Sequence, residues 1–302
     1  MLEHMNILIL RASYAAAEDG RLPAYLGSTI RGILGHCMRD FTCTAPTTRC
    51  YQCEQRNNCS YAECFCSTGH EAGAVNPFVL HVLVRDKTEW KAGDICTFDI
   101  TLIGDMTHQA GLFLDALQAM GERGWGALRI PFSLEQVTDP VHDRLIYGGG
   151  KAWMRNIRPY VLECKERTAT GVYLRFDTPV RILLSKNLCH TLSFDVLMQS
   201  LSRRISLLSW AYAGQQMQLY DKSMQEAARE ITIRRQDWRY CDFERYSMNH
   251  KNNTLALPGI EGWAMYEGDI TPFTPLIEAG RILHAGKNTT IGFGHYEAAY
   301  DR

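Results

Sequence analysis

The sequence predicts an α+β protein built from two tandem β-α-β-β-α-β units. Strand and helix patterns follow one another in this order through the first half of the chain. Both halves end with a helix, a glycine-rich turn and a strand, and a glycine run at 148–150 lies between them. This order is that of the ferredoxin-like, or RRM-like, fold. We therefore predict one ferredoxin-like domain over residues 1–147, with a cysteine-rich insertion at 43–66, and a second over residues 148–302.

The first half supplies every element of one unit. Its first predicted helix opens at Ser28, a residue type that caps helix N-termini, and its second is stopped by Gly121. The two central strands are rich in hydrophobic and β-branched residues and are joined by a turn. The predicted elements are a strand at 6–14, a helix at 28–41, strands at 77–85 and 94–103, a helix at 107–120 and a strand at 128–137.

The second half is less regular. Its long helix closes at Gly214, and Pro275 suits the first turn of the last helix because proline lacks the amide hydrogen that is unpaired there. Between these helices, the segment 231–266 shows short strands and loops. The other predicted elements are a hairpin pair at 161–164 and 172–184, helices at 193–213 and 274–285, and a final strand at 291–298.

Composition is that of an ordinary globular protein. Hydrophobic residues make up 46% of the 302 residues and charged residues 22%, which excludes disorder, collagen and coiled coil for the whole chain. Lysine and arginine number 32 against 33 acidic residues, so overall charge does not indicate a nucleic-acid-binding protein, although a local basic face remains open. No apolar run approaches the ~18 residues of a membrane span, and no signal peptide is found. We therefore expect a cytoplasmic protein without a membrane partner.

Cysteines are concentrated in one segment. Of the eleven in the chain, seven lie between Cys37 and Cys66. An odd number without a signal peptide argues against a disulfide framework and favours metal binding by reduced thiols. Four thiolates can wrap zinc tetrahedrally and leave no open position for water, so this zinc would be structural. The predicted ligands are Cys43, Cys50, Cys53 and Cys59, with Cys64 and Cys66 as spare candidates; the alternative is a loop of reduced cysteines without metal.

One histidine lies off the apolar face of the first predicted helix. At 100° per residue, the positions that share this face are Ile30, Leu34, Cys37 and Phe41. His36 falls away from them, beside Arg39 and near glycines that permit close approach of another backbone. A helix histidine is ordinarily a surface or core residue, but this position makes His36 a candidate functional residue.

The glycine-rich turn near the end of the chain, residues 286–294, carries Lys287. Backbone amides in such a turn can hold phosphate groups. The pattern is not a P-loop, because no serine or threonine follows the lysine. Nor is it a dinucleotide motif, because it ends a helix and opens a strand. A tight turn without ligand is the alternative.

Arginines and aromatic residues interleave in a third region. Arg203 and Arg204 lie within the long helix, and further arginines follow it. This combination suits stacked single-stranded bases and phosphates, and a solvated arginine-rich face is the alternative. The second part of the region contains Arg234, Arg235, Arg239 and Arg245 with Trp238, Tyr240, Phe243 and Tyr246.

Taken together, these segments resemble a known family. The motifs are Ile30-Arg31-Gly32 through Gly35-His36 with Arg39, Cys59-Ser60-Tyr61 before Phe65, Phe176 to Arg181, Ser202-Arg203-Arg204-Ile205, Trp238 with Arg245-Tyr246-Ser247, and above all Leu283-His284-Ala285-Gly286-Lys287 leading into Gly292-Phe293-Gly294. In these motifs, which extend over nearly the whole chain, the sequence is similar to the CRISPR-associated endoribonucleases of the RAMP superfamily, the sixth Cas family. These enzymes cut the CRISPR repeat transcript into guide RNAs.

The resemblance implies two tandem ferredoxin-like domains and an endoribonuclease that needs no cofactor for catalysis. It implies attack of a ribose 2′-hydroxyl on the adjacent phosphate, which leaves 2′,3′-cyclic phosphate and 5′-hydroxyl ends. His36 matches a histidine that family members often use as general base or acid, and Tyr25, Lys287 and Arg39 are its candidate partners. CRISPR repeat RNA is the implied substrate, with other Cas proteins of an effector complex as further partners. The implied RNA contacts are Arg31, Arg39, Arg203, Arg204, Arg245, Gly286, Lys287, Gly292, Gly294 and His295.

The sequence departs from the family pattern after Arg245-Tyr246-Ser247. Met248-Asn249-His250 replaces the usual arginine-glutamine pair, which removes the implied RNA contact or moves it to His250 and Lys251. Two alternative functions therefore stay open. One is a catalytically inactive relative that binds guide RNA within an effector complex, and the other is a zinc-stabilised interaction module without an RNA role.

Overall fold

The computed structural model describes residues 2–66, 75–246 and 254–301. The chain divides into two compact units, Met5–Val161, the N-terminal domain, and Leu162–Arg302 with Met1–His4, the C-terminal domain. The division falls after Val161 and not at the predicted position after residue 147. The glycine run does not act as a linker, because it forms the turn between the paired strands Arg144–Gly148 and Lys151–Ala152.

The N-terminal domain contains the predicted β-α-β-β-α-β order with additions. The cysteine-rich insertion is not entirely loop, because it holds a short helix and 3₁₀ turns at Cys50–Gln52 and Arg56–Asn58. The elements are β1 (Asn6–Ala16), α1 (Gly27–Thr42), α2 (Ser60–Phe65), β2 (Phe78–Val82), β3 (Ile95–Ile103), α3 (Ala110–Arg123), β4 (Phe132–Asp139), β5 (Arg144–Gly148), β6 (Lys151–Ala152) and β7 (Tyr160–Val161), with a small pair at Gly20–Arg21 and Glu89–Trp90.

The sheet of this domain has the strand order β2-β3-β1-β4-β5-β6, and β7 pairs with β1. Its neighbouring strands are antiparallel, with Leu10 opposite Ile100 in the central pair. The first four strands therefore have the arrangement of the ferredoxin-like fold, which confirms the predicted class. The predicted pairing of 161–164 with 172–184 is wrong, since Tyr160 and Val161 pair instead with Ile7 and Asn6.

Alternation along β1 places one side of the sheet in the core. Leu8, Leu10 and Tyr14 are fully buried beneath the helices, where each apolar side chain contributes about 2 kcal/mol. The Tyr14 hydroxyl donates to the Leu117 carbonyl at 2.6 Å, so its buried polar atom is paired. On α1, the predicted apolar face is buried as far as Cys37, but Phe41 is 54% exposed because it lies in the last turn of the helix.

The C-terminal domain repeats the same plan. The predicted final strand begins later than expected because residues 291–295 belong to the folded turn before it. The elements are β8 (Gly171–Val180), α4 (Phe194–Ala213), α5 (Lys222–Glu230), β9 (Thr232–Cys241), β10 (Glu244–Tyr246), β11 (Thr254–Ala256), β12 (Gly259–Glu267), α6 (Thr274–Leu283) and β13 (Tyr296–Asp301), with a small pair at Leu183–Leu184 and Asn187–Leu188.

The main sheet of the C-terminal domain has the order β9-β12-β8-β13, and its pairs are antiparallel. The four strands that each domain shares with the ferredoxin-like fold can be compared in chain order. In both domains the second of these strands lies at one edge, and the third and first lie between it and the fourth. The β10–β11 hairpin is an addition between the second and third strands. Among the residues described, no helix is both long and apolar enough to cross a bilayer.

Candidate functional site

His36 is exposed on α1, on the side away from the buried stripe of Ile30, Leu34 and Cys37. Partial burial lowers the pKa of His36 below its ordinary value of 6.5, and the cations of Arg123 and Arg39 lower it further. At neutral pH the imidazole is therefore mostly unprotonated. This is the form that accepts a proton, so the position supports a role in general base catalysis.

Arg123 is a functional candidate that the sequence did not reveal. It lies in the last turn of α3, forms an ion pair with Asp40 and interacts with the Cys37 thiol. No local motif marks this arginine, and only the packing of α1 against α3 brings it to His36. In an α+β fold of this kind the helices pack on one face of the antiparallel sheet, and this is the only signal from which their contact could have been expected.

Tyr25 does not lie beside His36. It precedes the first residue of α1, and the helix rises about 14 Å between Gly27 and His36. Its side chain is half-buried. The predicted catalytic pair of His36 and Tyr25 is therefore not assembled by α1, and the arginines near His36 are its closer partners.

The cysteine-rich insertion packs directly on α1. The Phe65 ring lies so close to Gly35 that a Cβ there would be 3.0 Å from the ring. The Arg31 guanidinium lies 5.1 Å from the centre of the same ring, a cation–π contact. Farther along the helix, Arg39 donates to the Pro46 carbonyl at 2.7 Å. The insertion thus contacts both Arg31 and Arg39, and Arg39 is one of the two cations that lower the pKa of His36.

The four predicted zinc ligands are not assembled into a metal site. Cys43, Cys50, Cys53 and Cys59 are all half-buried, reduced thiols. In the described part of the chain, this loop has no group of three or more ligand atoms within 4.8 Å of one another. Burial raises the pKa of the spare candidate Cys66 to about 12, and a hydrogen bond with Cys50 contributes to the increase. The zinc site stays a prediction. Cys66 lies within hydrogen-bond distance of the predicted ligand Cys50.

The glycine-rich turn of the C-terminal domain is folded tightly on itself. Gly292 and Gly294 are buried and have φ angles of 94° and 78°, which side chains with a Cβ rarely adopt. A Cβ on Gly294 would also clash with the Ala285 carbonyl. The glycines are therefore required by the backbone conformation of the turn.

Most amides of this turn are already used within the protein. Lys287 donates its backbone N–H to the Arg181 carbonyl at 2.9 Å, and Gly294 donates to the Pro179 carbonyl at 2.9 Å. Gly292 donates to the Thr289 carbonyl at 3.0 Å. These groups are not available to a phosphate, which corrects the predicted cradle at Gly292 and Gly294. The exposed Lys287 side chain and the half-buried Gly286 remain accessible.

Arg204 also has a structural role that the sequence did not indicate. Its guanidinium is enclosed within the C-terminal domain and donates to the carbonyls of Leu283 and His284 at 2.9 and 3.1 Å. A third hydrogen bond reaches the Thr289 hydroxyl. Burial lowers the pKa of Arg204 to about 10. The predicted role of Arg204 is therefore corrected from direct RNA contact to stabilisation of the glycine-rich turn. Arg203, one position earlier on α4, is exposed.

His295 is buried next to the same turn. Its Nδ1 lies 2.5 Å from Oδ1 of Asp177, and its backbone N–H donates to the Thr178 hydroxyl at 2.8 Å. The rings of His295 and His284 are 5.1 Å apart. These contacts attach the start of β13 to the end of β8, and the implied RNA contact of His295 stays a prediction.

The β10–β11 hairpin adjoins the turn through aromatic packing. Phe243 meets Phe293 edge to face, with ring centres 5.2 Å apart. On the hairpin, Arg245 is half-buried, burial lowers its pKa, and its Nε has no hydrogen-bond partner in the described residues. A desolvated guanidinium nitrogen of this kind favours an anionic ligand. His250 and Lys251, the alternative contacts, lie outside the described residues.

Comparisons with known proteins agree with this geometry. Residues 5–159 match a family described as an N-terminal domain, and residues 174–296 match the CRISPR-associated endoribonuclease Cas6. The C-terminal part of the chain is thus similar to Cas6, and a Cas6-type RAMP endoribonuclease is the family that the comparisons support, as the sequence motifs implied. No curated protein matches the chain closely enough to count as a relative.

Solved Cas6 structures share the fold of this chain. A Cas6 product complex is 15% identical with a TM-score of 0.61, over 97% of this chain and 100% of that one. Thermus thermophilus Cas6 is 13% identical with a TM-score of 0.58, over 98% and 99%. A partial Cas6-RT-Cas1–Cas2 complex is 12% identical with a TM-score of 0.62, over 98% of this chain and 46% of that one. At such identities these matches establish the tandem ferredoxin-like fold alone.

Proposed function

We propose that this protein cuts CRISPR repeat RNA into guide RNAs without a catalytic metal and that His36 moves a proton in the cutting step. The observation that carries the proposal is the exposed His36 imidazole, whose pKa is lowered by partial burial, Arg123 and Arg39. An unprotonated imidazole next to cations suits a reaction that needs a base and develops negative charge.

In the proposed reaction, His36 accepts the proton of a ribose 2′-hydroxyl. The 2′-oxygen forms a bond to the adjacent phosphorus, and the bond from phosphorus to the 5′-oxygen breaks. The 5′-oxygen leaves with a proton from a general acid. The products are a 2′,3′-cyclic phosphate and a 5′-hydroxyl, and a guanidinium such as that of Arg39 stabilises the charge on the phosphorane.

The decisive experiment is cleavage of a labelled RNA that carries the neighbouring CRISPR repeat, in EDTA. We expect the wild type to make a single cut and the His36→Ala variant to lose at least 100-fold in rate, the order of magnitude of general base catalysis. His108→Ala is the matched control, because His108 is also an exposed histidine of the N-terminal domain. A His36→Ala protein that cuts at the wild-type rate contradicts the assignment.

The same assay separates the alternative functions. If the wild type binds repeat RNA selectively without cutting it, the protein is a guide-RNA-binding relative. If it does not prefer repeat RNA over unrelated RNA near physiological salt, the result favours an interaction module. Other Cas proteins are proposed partners, with support from the match to a Cas6-RT-Cas1–Cas2 structure. The structural zinc is tested by the metal content of protein purified without chelator, in the wild type and in Cys50→Ser.

A further inference from the structure

Two exposed rings stack on each other at the end of strand β9. The centres of the Tyr240 and His190 rings are 5.9 Å apart and their planes differ by 29°. Tyr240 is 51% exposed, and His190 is exposed as well. A stacked aromatic pair at the surface presents an open π-face, which any planar ring can cover.

The backbone holds both rings in place. Tyr240 is the residue before the end of edge strand β9 and pairs with the buried Ile260 of β12. His190 follows Cys189, whose N–H donates to the Ile182 carbonyl at 3.0 Å and closes the short hairpin of residues 183–188. The pair therefore joins two elements that are fixed by main-chain hydrogen bonds, so the platform is formed before a ligand arrives.

Positive charge adjoins this pair. The Arg181 guanidinium donates to the Pro258 carbonyl at 2.8 Å. Arg181 follows Val180, and Val180 and Tyr240 are the two strand partners of Ile260 on β12. Burial lowers the pKa of Arg181, and the Tyr240 phenol opposes that shift electrostatically. The Arg181 carbonyl also accepts the backbone N–H of Lys287, so Arg181 contacts the glycine-rich turn with its exposed lysine.

We propose that His190 and Tyr240 form a stacking platform for one unpaired nucleobase of the RNA, with Arg181 beside its phosphate. A flat, open π-face next to a guanidinium matches the two chemical parts of a nucleotide, the base and the phosphate. The inference rests on the proposed function, because it assigns a binding site for the same RNA. It applies to an unpaired base, since a base within a duplex has its faces covered by its neighbours.

The test is a binding titration of labelled repeat RNA against wild type, Tyr240→Ala, Tyr240→Phe and His190→Ala. Stacking of one base corresponds to about a tenfold change in Kd, so we expect Tyr240→Ala to bind about tenfold more weakly. Tyr240→Phe retains the ring and should bind within about twofold of the wild type. Trp210→Ala is the control, because Trp210 is a 64% exposed aromatic on α4 outside the platform.

A second arm identifies the base. Repeat RNAs with one abasic unpaired position at a time are titrated against the wild type and Tyr240→Ala. One abasic position should weaken wild-type binding about tenfold and have no effect on Tyr240→Ala, since the ring that it contacts is already gone. The platform is refuted if Tyr240→Ala and His190→Ala both bind repeat RNA with the wild-type affinity.

The outcomes also separate this inference from the proposed cutting. If the wild type cuts repeat RNA and Tyr240→Ala binds it with unchanged affinity, the proposed function stands and the platform is refuted. If the wild type binds repeat RNA without cutting it and Tyr240→Ala binds more weakly, the platform stands and the proposed cutting is refuted.

Discussion

The guanidinium of Arg204 donates a hydrogen bond to the Thr289 hydroxyl at 2.8 Å from inside the C-terminal domain. Arg204 lies on α4 and Thr289 in the glycine-rich turn, so this contact connects the first helix of the domain to the segment before its last strand. The same guanidinium holds two carbonyls at the end of α6. The shape of the turn therefore depends on a side chain that does not belong to it.

Replacing Arg204 by methionine should lower the free energy of unfolding by about 3 kcal/mol. The substitution leaves buried carbonyls and a hydroxyl without their donor, and unsatisfied buried acceptors are costly. The control is Arg203→Met, on the same helix but exposed, which should stay within about 0.5 kcal/mol of the wild type. Urea unfolding of both variants measures the difference, and equal stabilities would refute the buried role.

Gly294→Ala should destabilise the protein by at least about 3 kcal/mol. The alanine would be strained at a φ of 78° and would clash with the Ala285 carbonyl. Gly149→Ala provides the comparison, because Gly149 also has a positive φ but its Cβ would meet no atom within 4 Å. Its cost should be about 1 kcal/mol, the conformational part alone. Thermal or urea unfolding distinguishes the two glycines, and a similar loss in both would contradict the close packing.

Two glycines of α1 should respond in different ways to alanine. Gly32→Ala should stabilise the protein by about 1 kcal/mol, because alanine favours the helix and its Cβ would meet no atom within 4 Å. Gly35→Ala must displace the Phe65 ring, which should cancel that gain or reverse it. Urea unfolding of both variants measures the contact between the insertion and the helix. A gain of the same size in both would mean that Phe65 moves away freely.

Arg123→Gln should shift the pH dependence of cleavage. Arg123 lowers the pKa of His36, so its removal raises that pKa toward 6.5. If His36 is the base, the rate falls as pH decreases through its pKa, and the acidic limb of kcat/KM should move to higher pH. An alkaline limb that moves upward instead would identify His36 as the acid. Arg203→Gln is the control, and its limbs should not move.

Sequence patterns predicted the order of the elements better than the roles of the charged residues. The 3.6-residue period of Ile30, Leu34 and Cys37 and the turns at glycines are local signals, so the tandem units and the exposure of His36 could be predicted. The contacts of Arg204 join residues 79–85 positions apart, and no local pattern records them. For the same reason Arg123 was missed. Phe41 was misplaced because helical periodicity does not show where the covering core ends.

The shared strand order of the two domains means that α1 and α4 occupy the same place in their units. On α1 this position carries an exposed histidine whose loss should spare the fold, and on α4 it carries a buried arginine whose loss should not. Under the proposed function, one backbone plan thus serves chemistry in one copy and rigidity in the other. A set of substitutions should therefore separate by copy, with His36 variants that fold but cut poorly and Arg204 variants that unfold more easily.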